Sequence, residues 1–277
     1  MMAFTENTFP RALLMFLSLA LSTSFSGAEA AGKMIECTVI LDQETGAAIV
    51  RTGTCDERFT PMSTFKVPLA LMGYDAGVLK DEHTPRWDYD PKFEAPKRAR
   101  KAVDPTIWEA DSILWYSQEL TRKLGAEVFG DYVRKLDYGN RDTGGRPARD
   151  DGLTQSWLSS SLLISADEQA RFMRRIVARD LPVSREAIDM TVSIIPAFAA
   201  GDGWAVQGKT GSGSLRRKNG RLDHARPVGW FVGWAEKNGR KIAFARLRIG
   251  SERPVEPSGL ALRAAFLNEL PSLMRGN

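Results

Sequence analysis

A chain of 277 residues, 43% hydrophobic and 26% charged, can build one large core or two interleaved domains and is too apolar to stay disordered. Its formal net charge of +4 is spread along the sequence. The two dense basic runs, Lys97-Arg98-Ala99-Arg100-Lys101 and Arg216-Arg217-Lys218, carry no interleaved aromatics, so both read as solvated loops and no nucleic-acid partner is expected.

The first 30 residues read as a signal peptide. Arg11 precedes an apolar stretch over residues 12–21, and small residues end in Ala28-Glu29-Ala30, which predicts cleavage after Ala30. The apolar stretch falls short of the roughly 20 residues a membrane-spanning helix needs, and no later segment replaces it. The reading is therefore a periplasmic protein without a membrane anchor, with the mature domain at 31–277.

Residues 38–41 and 47–51 are strand-like runs joined by Asp42-Gln43-Glu44-Thr45-Gly46, a hairpin that brings Cys37 and Cys55 near each other. In an oxidising compartment they can form a disulfide, the alternative being two free thiols. Residues 63–79 read as a helix closing near Asp75-Ala76-Gly77, with Phe65, Leu69 and Met72 on one face. Pro68 conflicts with its first turns, which are expected to be distorted or to begin late. A second helix is predicted over 104–124, carrying Ser112, and residues 140–152 read as a surface loop. Ser165-Ala166-Asp167-Glu168 is a capping box opening a third helix. Beyond it the pattern changes to strands at 204–209, 229–236 and 241–249, with a hairpin turn at 236–240 and a final helix over 259–274. The fold class expected is α/β: an antiparallel sheet flanked by helices, built from 31–62 and 195–277, plus a mainly helical domain at 63–194.

Ser63-Thr64-Phe65-Lys66 places a hydroxyl and an amine one helical turn apart on a shared face. A serine hydroxyl is a poor nucleophile at neutral pH and needs a partner to take its proton, which Lys66 can do only when uncharged. In chain order there follow Ser112-Ile113-Leu114, Tyr138-Gly139-Asn140, Trp157-Leu158 and Lys209-Thr210-Gly211. With these five motifs nearly all of the mature chain resembles the class D, oxacillinase-type serine β-lactamases. The S-D-N motif of the related class A enzymes is absent.

The resemblance implies a serine β-lactamase/penicillin-binding transpeptidase-like fold with the site in the cleft between its two parts. It implies that Ser63 opens the lactam ring of an antibiotic to an acyl-enzyme, with CO2 held on Lys66 as a carbamate and no other cofactor and no metal. Trp157 matches the indole donor that holds the carbamate, and Leu158 its apolar neighbour beside the hydrolytic water. Ser112 and Lys209 match the pair that relays a proton to the departing nitrogen. The amides of Ser63 and Ser212 match an oxyanion hole, with Gly211 allowing close approach. Thr210 and Arg263 match the groups that bind the substrate carboxylate, the alternative for Arg263, on a predicted helix, being a surface salt bridge.

Two departures stand out. Leu114 takes the place of the family's usual valine and is expected to wall off Lys66, and the stretch from Asn140 to Trp157 is longer than usual. His83 and His224 are isolated, unlike the ligands of a zinc enzyme. A membrane-bound β-lactam sensor would carry spanning helices, and a cell-wall peptidase would carry a different middle motif. A monomer or weak homodimer is expected.

Overall fold

In a computed structural model the described residues are 1–3 and 33–275. The predicted signal segment falls almost wholly outside them. The described chain forms a six-stranded antiparallel sheet in the order β2-β1-β6-β5-β4-β3. Its strands are β1 (Ile35–Asp42), β2 (Ala48–Gly53), β3 (Ala197–Ala200), β4 (Trp204–Arg216), β5 (Leu222–Lys237) and β6 (Arg240–Ile249).

Between β2 and β3 run seven helices: α1 (Lys66–Asp75), α2 (Pro105–Asp111), α3 (Leu114–Leu124), α4 (Ala126–Lys135), α5 (Gly152–Gln155), α6 (Ala166–Ala178) and α7 (Arg185–Ile194). Helix α8 (Ser258–Arg275) follows the last strand. The antiparallel sheet with flanking helices is the predicted architecture.

Both faces of the sheet are covered at its centre, which is why β1, β5 and β6 carry long buried runs. Side chains alternate between faces with period two. Val39, Leu41, Trp230, Val232, Ala243 and Ala245 join the core shared with the helices of the insertion. Ile40, Phe231 and Phe244 turn the other way, onto Phe266 and Leu270 of α8. Phe244 stacks on Phe266 with ring centroids 4.1 Å apart.

Cys37 and Cys55 form a disulfide, since Cys37 lies opposite Gly53 in the β1–β2 pair and Cys55 follows two residues on. Pro68 is accommodated because a 3₁₀ turn (Met62–Phe65) comes first and α1 begins only at Lys66. The proline then sits in the first turn, where its missing N–H has no helical partner to lose. The capping box is present in full, with Ser165 accepting from Glu168 N and Glu168 accepting from Ser165 N.

The single helix predicted over 104–124 is two. Asp104 caps α2 by accepting from Ile107 N at 2.8 Å, with Pro105 at the first helical position. Ser112 then takes a left-handed conformation (φ 55°, ψ 45°), Ile113 is extended, and α3 starts afresh at Leu114. A serine rather than a glycine holds that left-handed corner, so composition alone did not mark the break. Strands β4 and β5 also run longer than predicted, pairing as far as Arg216 with Leu222.

Candidate active site

The chain enters the site along a short bridge between Phe59 and Ile164, and Met62 N donates to Trp157 O at 3.1 Å. Met62 itself has φ 53°, a left-handed conformation costly for a non-glycine residue and held by its buried surroundings. The 3₁₀ turn that follows presents Ser63 to a cavity of about 590 Å³ and carries Lys66 into the interior, 1% exposed. Thr64 between them is pinned from two sides, donating to Pro61 O at 2.7 Å and accepting from Gln169 Nε2 at 2.8 Å.

Lysine 209, on β4, is 2% exposed and donates from Nζ to Ser112 Oγ at 3.1 Å. The left-handed corner that breaks the helix is thus what turns Ser112 toward the strand. Ser63, Ser112, Lys209, Thr210, Ser212 and Arg263 all line the same cavity. Gly211 is needed where β4 passes the segment before Ser63, since a Cβ there would stand 2.9 Å from Pro61 O. Gly259, at the start of α8, approaches Gly211 O so closely that a Cβ would meet it at 2.4 Å, and its N–H donates to Ser212 Oγ at 2.9 Å. That contact seats α8 against β4 and puts Arg263, one turn further on, at the cavity with its guanidinium 4.6 Å from the Phe198 ring centroid.

Tyr138-Gly139-Asn140 lies behind this machinery. Tyr138 is buried, packing edge-on against Phe65 at 5.4 Å. Asn140 donates from Nδ2 to Ser161 O at 2.8 Å and accepts from Leu163 N at 3.0 Å, clamping the segment that follows Trp157-Leu158. Trp157 is buried and stacks on Phe65 at 5.3 Å, while Leu158 is half-buried against the same core. Asn140→Ala should therefore lower stability by about 1–3 kcal/mol, the cost of leaving partly buried backbone groups unpaired. A thermal melt checks it, and an unchanged Tm would deny the clamp.

Burial sets the electrostatics. It pushes the Lys66 amine well below its ordinary value, with repulsion from Lys209 adding and attraction to Glu109 opposing. Lys209 is lowered for the same first reason, partly offset by Glu109. Glu109 is pushed up by burial, against the pull of Lys209 and Lys66. Lys66 Nζ and both Glu109 carboxylate oxygens are buried without a hydrogen-bond partner among the described residues.

Glu109 was missed in sequence, where Trp108-Glu109-Ala110-Asp111 carries the pattern of an ordinary helix. Arg98 is exposed with the other basic residues of its run, as the solvated-loop reading expects, but it also borders the cavity and donates to Asp111 O at 3.0 Å. In the second run, Arg216 donates to Ser159 O at 2.8 Å, tying it to the segment beside Trp157. Leu114 does not line the main cavity; it is exposed and borders a smaller recess with Phe93, Ala95 and Trp115. The restart of α3 at this residue is the reason.

Residues 36–272 match the family model described as penicillin binding protein transpeptidase domain. The chain is 48% identical over 264 residues to beta-lactamase OXA-9 of Klebsiella pneumoniae, covering 95% of this chain and 96% of that protein. It is 34% identical over 238 residues to beta-lactamase OXA-1 of Escherichia coli, covering 85% and 81%. The crystal structure of the OXA-427 class D beta-lactamase superposes with a TM-score of 0.79 at 40% identity, over 87% of this chain and 99% of that one. A serine at the cavity wall one turn from a buried lysine, a Ser112–Lys209 contact across one cleft and likeness along nearly the whole chain agree: the protein belongs to the class D β-lactamases.

Proposed function

We propose that this protein hydrolyses the lactam ring of β-lactam antibiotics through an acyl-enzyme on Ser63, and so confers resistance to them. The observation that carries the reading is the convergence of Ser63, Ser112, Lys209, Thr210, Ser212 and Arg263 on one cavity, with the unpartnered amine of Lys66 one turn along from the nucleophile.

Ser63 Oγ attacks the lactam carbonyl, and the amides of Ser63 and Ser212 receive the charge that develops on its oxygen. Ser112 donates its proton toward the departing nitrogen and is resupplied from Lys209 Nζ, to which it is already hydrogen-bonded. Thr210 and Arg263 hold the ring carboxylate, the guanidinium offering two parallel donors. Gly211 keeps β4 near enough for these groups to act together.

The Lys66 pocket fits carboxylation by CO2, because a buried, unpartnered amine with a lowered pKa is available in the neutral form that alone adds CO2. That group would supply a general base on α1, with Trp157 as its indole donor and Leu158 shaping the space for water. No other cofactor and no metal is invoked. Residues 1–30 would direct export to the periplasm, where the mature protein acts as a monomer or weak homodimer.

Purified protein incubated with a penicillin should turn it over and, when quenched early, carry the mass of the opened lactam on the peptide containing Ser63. An adduct that forms and never clears would make the protein a sensor instead. No adduct and no turnover would remove the reading.

Arg263→Ala should raise KM for substrates bearing the ring carboxylate by one to two orders of magnitude, as expected for loss of a charged hydrogen bond of about 1.5–3 kcal/mol, with kcat changed less. An unchanged KM would leave Arg263 with only its contact to Phe198.

A further inference from the structure

Glu109 is a buried carboxylate that this mechanism does not use. It stands on α2 three residues before Ser112, is fully buried, and lines the same cavity as Ser63 and Lys209. Two amines act on it, Lys66 from α1 and Lys209 from β4. Arg98, from the loop before α2, and Arg263, from α8, add positive charge around those amines. Asp111, on the same helix as Glu109, is paired with Lys101.

A carboxylate stripped of water is costly unless opposite charge compensates it, and here that charge comes from the two lysines. Adding a carboxylate to Lys66 would change its charge from positive to negative. Two anions would then share Lys209, an arrangement in which one of them takes up a proton.

We propose that carboxylation of Lys66 and protonation of Glu109 are one coupled event, making Glu109 a positioning residue that sets the pH and CO2 level at which Lys66 becomes a base. The inference rests on the carboxylated-lysine reading above. In the coupled step the ammonium of Lys66 gives one proton to Glu109. The freed lone pair on Nζ forms a bond to the carbon of CO2, one C–O π pair moves onto oxygen, and the second N–H proton leaves to solvent. One proton is released overall.

Mature enzyme equilibrated with ¹³C-bicarbonate should show the carbamate carbon by NMR, lost on acidification. Glu109→Gln keeps the shape and an N–H donor but removes the charge that favours ammonium. Its acid midpoint should fall by about one pH unit, so that roughly tenfold less bicarbonate holds the same occupancy near that midpoint.

The reciprocal effect must appear in the unaltered enzyme, whatever the variant's stability. Added bicarbonate should raise a protonated-carboxyl band in the infrared difference spectrum. A carbamate midpoint that stays or moves to higher pH, or the absence of the acid band, overturns the coupling and leaves the carboxylated lysine standing. No carbamate signal in the unaltered enzyme overturns both.

Discussion

Ser63→Ala should abolish both turnover and covalent labelling, a loss on the order of 10⁶ in kcat, as for other serine hydrolases deprived of their nucleophile. Every other group proposed here acts on chemistry that Ser63 begins, so nothing in the cavity can stand in for it. The fold should be untouched, because Ser63 is only half-buried at the cavity wall and loses a single hydroxyl. The measurement is intact-mass spectrometry on prolonged incubation with a penicillin, beside a thermal melt. A variant with unchanged Tm that still gained the mass of an opened lactam would transfer the nucleophile to another residue.

Lys66→Ala should separate the two halves of the reaction. Acylation slows, and the acyl-enzyme then accumulates, because deacylation falls by the ~10²–10⁴ that a lost general base costs. Rapid mixing followed by mass analysis distinguishes this stall from simple loss of binding. In the unaltered enzyme, activity should fall as pH drops through the lowered pKa of Lys66, since an ammonium can neither take a proton nor add CO2.

The same shift governs stability. With a folded pKa below the unfolded 10.5, the unfolded chain binds the proton more readily, so burying Lys66 destabilises the fold fully below the lowered pKa. That penalty disappears as pH rises toward 10.5. Melts in CO2-free buffer should show the unaltered protein gaining on Lys66→Ala across this interval, and a pH-independent difference would mean that Lys66 titrates alike in both states.

What could be read in advance was the chemistry carried by short spacings. Ser63 and Lys66 lie a single turn apart, and Lys209-Thr210-Gly211 follows directly on the strand-like run from Trp204, so these needed only local geometry. Ser112 was recognisable as a motif residue, but not as a corner. The apolar run Ile113-Leu114-Trp115 continues a helical pattern, and the left-handed φ of 55° is favoured by the bond from Lys209, which local sequence does not contain. Tyr138-Gly139-Asn140 served as a marker of family, whereas its physical work is to clamp residues 161–163 behind Trp157.

Glu109, and the place of Arg98 at the cavity edge, were illegible for one shared reason. Whether a charged side chain faces water or a cleft depends on the elements that pack over it, and those come from distant parts of the chain. The hairpin brought the cysteines near each other as expected, yet their bonding depended on the register of one strand pair, which places Cys37 opposite Gly53.

The pairing of β1 with β6, which sets Ile35 opposite Ile249, has a consequence for how the protein is made. A contact between segments so far apart in the chain pays its loop-closure entropy before it returns any stability, a topology associated with slow folding. The nucleophile lies early in the chain, on the 3₁₀ turn before α1, whereas Lys209 and Arg263 lie late, on β4 and α8. The cavity wall opposite Ser63 is therefore complete only once the final strand has closed the sheet and α8 has seated against β4.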